Sequence, residues 1–128
     1  MIALITEGVK VSVDTIYQPE YYTPSNEHFM HAYKVRIENL GAQAVQLRSR
    51  HWYIFDGYGQ IREVQGEGVV GLQPVILPGE SHEYVSGCHL SSDMGCMWGN
   101  YTMLRLDTGK EFEVAIPRFN LVAPFRLN

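Results

Sequence analysis

Phe29-Met30-His31-Ala32-Tyr33-Lys34-Val35-Arg36-Ile37-Glu38 is the stretch that decides the fold of this 128-residue chain. Successive side chains of an extended strand point to opposite faces, so Phe29, His31, Tyr33, Val35 and Ile37 line one face. Met30, Ala32, Lys34, Arg36 and Glu38 line the other, which is mostly polar. One buried and one wet face is the signature of a strand in a sheet covered on one side. The same period-two pattern recurs on both sides of this stretch. Upstream, Val9, Val11 and Val13 alternate with Lys10, Ser12 and Asp14. Downstream, past the turn residues Asn39-Leu40-Gly41, the residues Val45, Leu47, Ser49, His51, Tyr53 and Phe55 alternate with Gln46, Arg48, Arg50, Trp52, Ile54 and Asp56. The short connection predicts a hairpin between these two strands.

Further turn signals space the rest of the chain. Asp56-Gly57-Tyr58-Gly59 leads to a short strand at Ile61 to Val64, and Pro78-Gly79 precedes a strand at Ser81 to Ser86. Asp107-Thr108-Gly109 joins Trp98 to Leu106 with Lys110 to Ile116. A Tyr-rich loop from Pro19 to Asn26 and an irregular connection from Ser86 to Gly99 complete the reading. The tail from Pro117 to Phe125 reads as an edge or a covering segment, because Pro cannot donate to a central ladder. About seven antiparallel strands and no helix predict an all-β, immunoglobulin-like or fibronectin type III-like sandwich forming a single domain over 1–128.

Composition narrows the function. A formal charge of −4 argues against a surface built to neutralise a phosphate backbone, so nucleic acid is not the expected partner. The N-terminal residues Met1 to Glu7 lack a basic n-region, and no run approaches a membrane span, which predicts a cytoplasmic protein without a membrane partner. In that compartment Cys88 and Cys96 read as free thiols.

At this point several runs resemble one family. Thr6-Glu7-Gly8-Val9, Ile37-Glu38-Asn39-Leu40-Gly41, Leu47-Arg48-Ser49-Arg50-His51-Trp52 and Gly66-Glu67-Gly68-Val69-Val70-Gly71-Leu72-Gln73-Pro74 carry the likeness. Pro78-Gly79-Glu80, Tyr84-Val85-Ser86-Gly87-Cys88 and Ile116-Pro117-Arg118-Phe119 extend it along essentially the whole chain. Together they are similar to the ApaG family, also called CorD. The resemblance implies a fibronectin type III-like sandwich. It also implies a genetic link to cobalt and magnesium tolerance without an established activity, and a protein-binding role by analogy with related domains in F-box and polymerase-interacting proteins.

The most tempting chemical motif is Gly66-Glu67-Gly68-Val69-Val70-Gly71, with the glycine spacing of a pyrophosphate loop. Such a loop works by opening a helix whose free N–H groups meet the anion. Here Pro74 and Pro78 follow at once, which forbids a helix of useful length. The glycines read instead as loop geometry, with an anion nest beside Arg48 or Arg50 as the looser alternative. Among His28, His31, His51, His82 and His89 no spacing suits a metal. His89 beside Cys88, with Cys96 or Asp93, is the best constellation, and no metal site or cofactor is expected. His51 reads as an inward core histidine. Cys88 and His89, as strand neighbours, face apart and make no nucleophile and base pair, so the expectation is a binding module and not an enzyme.

Tyr17, Tyr21, Tyr22, Tyr53, Tyr58, Tyr84 and Tyr101 with Trp52 and Trp98 exceed what one small core needs, and such residues favour contact surfaces. Trp52 either projects beside Arg48 and Arg50 or packs beneath the glycine loop while Arg50 bonds loop carbonyls. The expected contact surface comprises Arg48, Arg50, His51 and Trp52, then Gly66, Glu67, Gly68 and Gly71, then Ser86, Gly87 and Cys88. Its partner is an unidentified protein, and exposed sheet edges offer a route to a homodimer. The alternative is a small-ligand binder, taking a divalent cation, or a pyrophosphate or nucleotide anion at the Gly66 to Gly71 loop.

Overall fold

The computed structural model describes residues 1–23, 25 and 28–124. The end of the Tyr-rich loop at Pro24 and Asn26, and Phe125 in the tail, lie outside the described residues. Nine strands form among those described: β1 (Ile2–Thr6), β2 (Val9–Gln18), β3 (Phe29–Asn39), β4 (Val45–Asp56), β5 (Gln60–Glu67), β6 (Val75–Ile76), β7 (Ser81–Leu90), β8 (Met94–Arg105) and β9 (Glu111–Val122). A 3-10 turn at Pro19–Tyr21 follows β2, and no α-helix occurs among the described residues. One sheet has the order β1-β2-β3-β7, and the other has the order β5-β4-β8-β9 with β6 also paired to β4. All pairings are antiparallel. The inner faces meet in one core in which Val11, Val35, Ile37, Leu47, Tyr101 and Leu121 are fully buried.

β3 obeys its alternation: Phe29, His31, Tyr33, Val35 and Ile37 are all buried. β1 was not legible as a strand, since Ile2-Ala3-Leu4-Ile5 does not alternate, yet Glu7 and Gly8 take positive φ and close a tight hairpin to β2. The expected hairpin between β3 and β4 does not exist. β3 pairs with β2 and β7 and β4 with β5, β6 and β8, so the Asn39-Leu40-Gly41 turn crosses from one sheet to the other. Buried Asn39 holds that crossing. Its carboxamide oxygen accepts from the Gly41 amide, and its NH2 donates to the Gln43 and Ile76 carbonyls at 2.7 and 2.9 Å.

The Ser86 to Gly99 segment is likewise not irregular. β7 runs on to Leu90 and β8 begins at Met94, leaving a three-residue crossing. Asp56 pins it by accepting from the Ser91 and Ser92 amides at 2.7 and 3.1 Å. Burial raises the Asp56 pKa, but these bonds outweigh it and hold the carboxyl below its ordinary value. The segment after Ile116 is a continuous part of β9, an edge strand. β9 carries an extra residue opposite Trp98, where the register jumps from Phe119 to Ile116, and Pro117 sits at that irregularity. An edge position and a bulge are where a missing N–H is tolerated.

The change that positions everything functional is in β4. Leu47 pairs with Met103 and Ser49 with Thr102, so Arg48 is an extra residue and the strand changes phase there. Before it, Val45 and Leu47 point inward. After it, Trp52, Ile54 and Asp56 are the buried ones.

Candidate functional site

The phase change decides between the two readings of Trp52 and overturns the one for His51. Trp52 does not project: it is 2% exposed and packs inside against Tyr33, Tyr101 and Phe119, with ring centroids 5.4 to 6.4 Å away. His51 is not a core histidine. It stands on the outer face and meets the Glu63 carboxylate at 2.7 Å. Arg50, on the inward side, lies under the rim, where Nη1 donates to the Glu67 and Gly68 carbonyls at 3.0 and 2.9 Å. That is the second of the two readings of this region as far as Arg50 goes, with Trp52 in the core proper.

The three glycines now have separate reasons. A Cβ on Gly66 would lie 2.9 Å from Arg50 Nη1, so the guanidinium packs on bare backbone. Gly68 has φ +65, and a Cβ there would collide with the Leu72 carbonyl. Gly71 has φ +78 beside Val70 at +49, the paired positive φ values of a tight turn closed by bonds between Val69 and Leu72. No helix follows. The amides of Gly68, Val69 and Leu72 are already bonded to the Arg48, Leu72 and Val69 carbonyls at 2.8 to 3.0 Å.

Ser86, Gly87 and Cys88 do not join this surface. They lie in β7, on the opposite sheet, and Ser86 hydrogen-bonds inward-facing Tyr33. Tyr33, Tyr84 and Tyr101 form a buried hydroxyl cluster near Arg50, in which Tyr84 and Tyr101 share a hydrogen bond and desolvation raises the pKa of all three. Burial pushes the Cys88 thiol up to about 11 despite the nearby Arg62 guanidinium, so it is protonated at neutral pH and a poor nucleophile. His89 points the other way, against His28, and its carbonyl accepts from Arg62. Cys96, buried in the other sheet, accepts from Arg118 at 3.2 Å, and neither cysteine forms a disulfide. No group of three or more His, Cys, Asp or Glu side chains able to hold a metal occurs among the described residues.

What the outer face of the second sheet does hold was missed by sequence reasoning. An open cleft of about 530 Å³ is lined by Ser49, His51, Gln65, Glu67, Asn100, Thr102 and Glu113 with Arg50 and Gly66. From it runs a ladder of stacked groups: His51 on Tyr53 at 4.5 Å, Tyr53 on Trp98 at 5.6 Å and only 9° from parallel, then the Arg118 guanidinium 4.8 Å from the Trp98 ring. The signal that could have found it is the alternation Trp98, Asn100, Thr102, which puts all three on one face of β8. Pairing them with β4 needed the position of its bulge.

Fold and surface together define a fibronectin type III-like β-sandwich with an open, polar cleft at a sheet rim in place of an enclosed pocket. Residues 19–105 match the model of the ApaG domain. The chain is 47% identical to Protein ApaG of Afipia carboxidovorans, over 97% of this chain and 95% of that one. It is 50% identical to Protein ApaG of a Methylobacterium species, over 93% and 91%. The crystal structure of a Bordetella pertussis protein described as ApaA superposes with a TM-score of 0.86 at 46% identity, over 91% and 94%. The chain belongs to the ApaG family.

Proposed function

We propose that this protein is a non-enzymatic interaction module that docks a partner protein along the rim formed by β5 and the segment that follows it to Leu77. The observation that carries this reading is the composition of that rim. β5 is an edge strand with nearly every residue exposed, so its outer row of backbone groups is open to strand addition. Ile61, Val64, Val70, Leu72, Val75 and Leu77 are 39% to 63% exposed along it. Apolar side chains strung along one rim mark a contact surface more than scattered exposure does. The Glu67 to Gly71 part of the expected surface belongs to this rim.

The small-ligand alternative is less well supported. Arg50 is committed to loop carbonyls and three loop amides to their own partners, which leaves little of a nest for pyrophosphate or a nucleotide. We place the family's link to cobalt and magnesium tolerance downstream of a protein contact and not of chelation at this loop.

Photo-crosslinkers at Val64 and Leu72, compared with one at Lys34 on the other sheet, test the reading in living cells. Discrete protein adducts from the two rim positions and none from Lys34 are expected, and an adduct with a second copy of the chain would make self-pairing the contact. Equal labelling from all three positions, or none, overturns it.

A further inference from the structure

The ladder on the outer face has two ends that differ. At one, the Trp98 ring is capped by this chain's own guanidinium, that of Arg118. At the other, His51 has Tyr53 on one side and the cleft of about 530 Å³ on the other. The cleft walls bring hydroxyls from Ser49 and Thr102, carboxamides from Gln65 and Asn100, and carboxylates from Glu67 and Glu113. Glu113 accepts from Thr102 Oγ1 at 2.9 Å. Among the described residues neither Glu67 nor Glu113 is in an ion pair. Arg50, also at the wall, keeps its positive charge while its Nη1 donates to the Glu67 and Gly68 carbonyls, and it forms an ion pair with neither carboxylate, so the two carboxylates outnumber the one guanidinium.

We propose that this open end receives an arginine side chain of the partner protein, its guanidinium stacking on His51 and its N–H groups meeting Glu67 and Glu113. The inference rests on the interaction-module reading and names the partner's contact residue class. Three observations point to arginine. A planar group is needed to continue a stack of parallel planes, and an ammonium is not planar. Positive charge complements a wall on which two carboxylates, neither in an ion pair, outnumber the single Arg50 guanidinium, and that excess disfavours a phosphate or carboxylate ligand. Five N–H donors match the acceptor-rich wall, and the far end of the same ladder already shows a guanidinium seated on a ring.

Titration of the intact protein with N-acetyl-arginine-methylamide tests the site, with the lysine and citrulline counterparts as controls for planarity and charge, read by amide shifts. Saturable shifts at Ser49, Gly66, Asn100 and Thr102 are expected. The lysine and citrulline probes should bind several-fold more weakly. The double variant E67Q/E113Q, whose changes are on exposed side chains, should bind arginine roughly fivefold more weakly. Equal response to all three probes, shifts elsewhere on the surface, or an unchanged affinity in E67Q/E113Q overturns the proposal. If arginine fails while rim crosslinks to a protein persist, this inference alone falls. If arginine binds at the cleft while the crosslinks are absent, the inference about the cleft stands and the rim reading falls.

Discussion

β3 and β4 are each the second or third strand of their sheets and nearly equal in length, eleven and twelve residues, yet one keeps a single phase and the other does not. In β3 every odd residue from Phe29 to Ile37 is buried. In β4 the extra residue at Arg48 exchanges the two faces, so Leu47 and Trp52 are both inside although their numbers differ in parity. A one-residue slip moves every later side chain to the other face. The exchange does two things at once. It gives the core its indole and gives the outer surface His51 and Tyr53, and so the ladder and the cleft exist because of a single inserted residue.

The comparison can be broken most sharply at Trp52. If β4 kept the phase of its first half, Trp52→Ala would be a surface change worth under about 0.5 kcal/mol. With the indole inside, a loss of about 3–5 kcal/mol is expected in urea unfolding. His31 probes the regular strand by pH. Burial lowers its pKa to about 4, and among the described residues its Nε2 has no hydrogen-bond partner. The unfolded chain then binds the proton more readily than the folded one, so stability is full above about pH 6.5 and falls as pH drops from there toward 4, by up to about 3 kcal/mol. His31→Phe should flatten that limb of a stability-against-pH curve, and an unchanged slope between pH 6.5 and 4 would show that another group carries it.

Gly68, whose amide bonds the bulge residue's carbonyl, tests the join between bulge and rim. Gly68→Ala should cost roughly 1–3 kcal/mol in thermal unfolding through left-handed strain and the Leu72 carbonyl, and it should shift the Ser49 and Arg50 amides. A silent substitution there would detach the glycine loop from the phase change. The smallest effect belongs to Tyr53→Ala, one rung of the outer ladder, at under about 1 kcal/mol by the same melt. A loss as large as that of Trp52 would mean that the two faces of β4 are not distinct in the way described.

The fold class was legible because most strands alternate cleanly and the glycine and proline turns fall between them. The separation of β3 and β4 into different sheets was not, because a short turn with Asn39 and Gly41 reads the same whether it closes a hairpin or crosses between sheets. What decides it is the Asn39 side chain bonding Ile76, thirty-seven residues away. The glycine loop was read correctly as helix-free from Pro74 and Pro78. The surface was only half read. Arg50, Gly66 and Glu67 do adjoin His51, but the reading left Trp52 open between an outward and a packed position and grouped Ser86 to Cys88 with this surface, since period counting carries no record of a bulge. Asn100 and Glu113 reach the cleft from β8 and β9, and only the register of those strands shows it.

Arg62 leaves β5, crosses the gap between the sheets and donates to the His89 carbonyl on β7. On that flank, then, a single side chain laces the border strand of one sheet to the border strand of the other, so a disturbance of either border is felt by its neighbour.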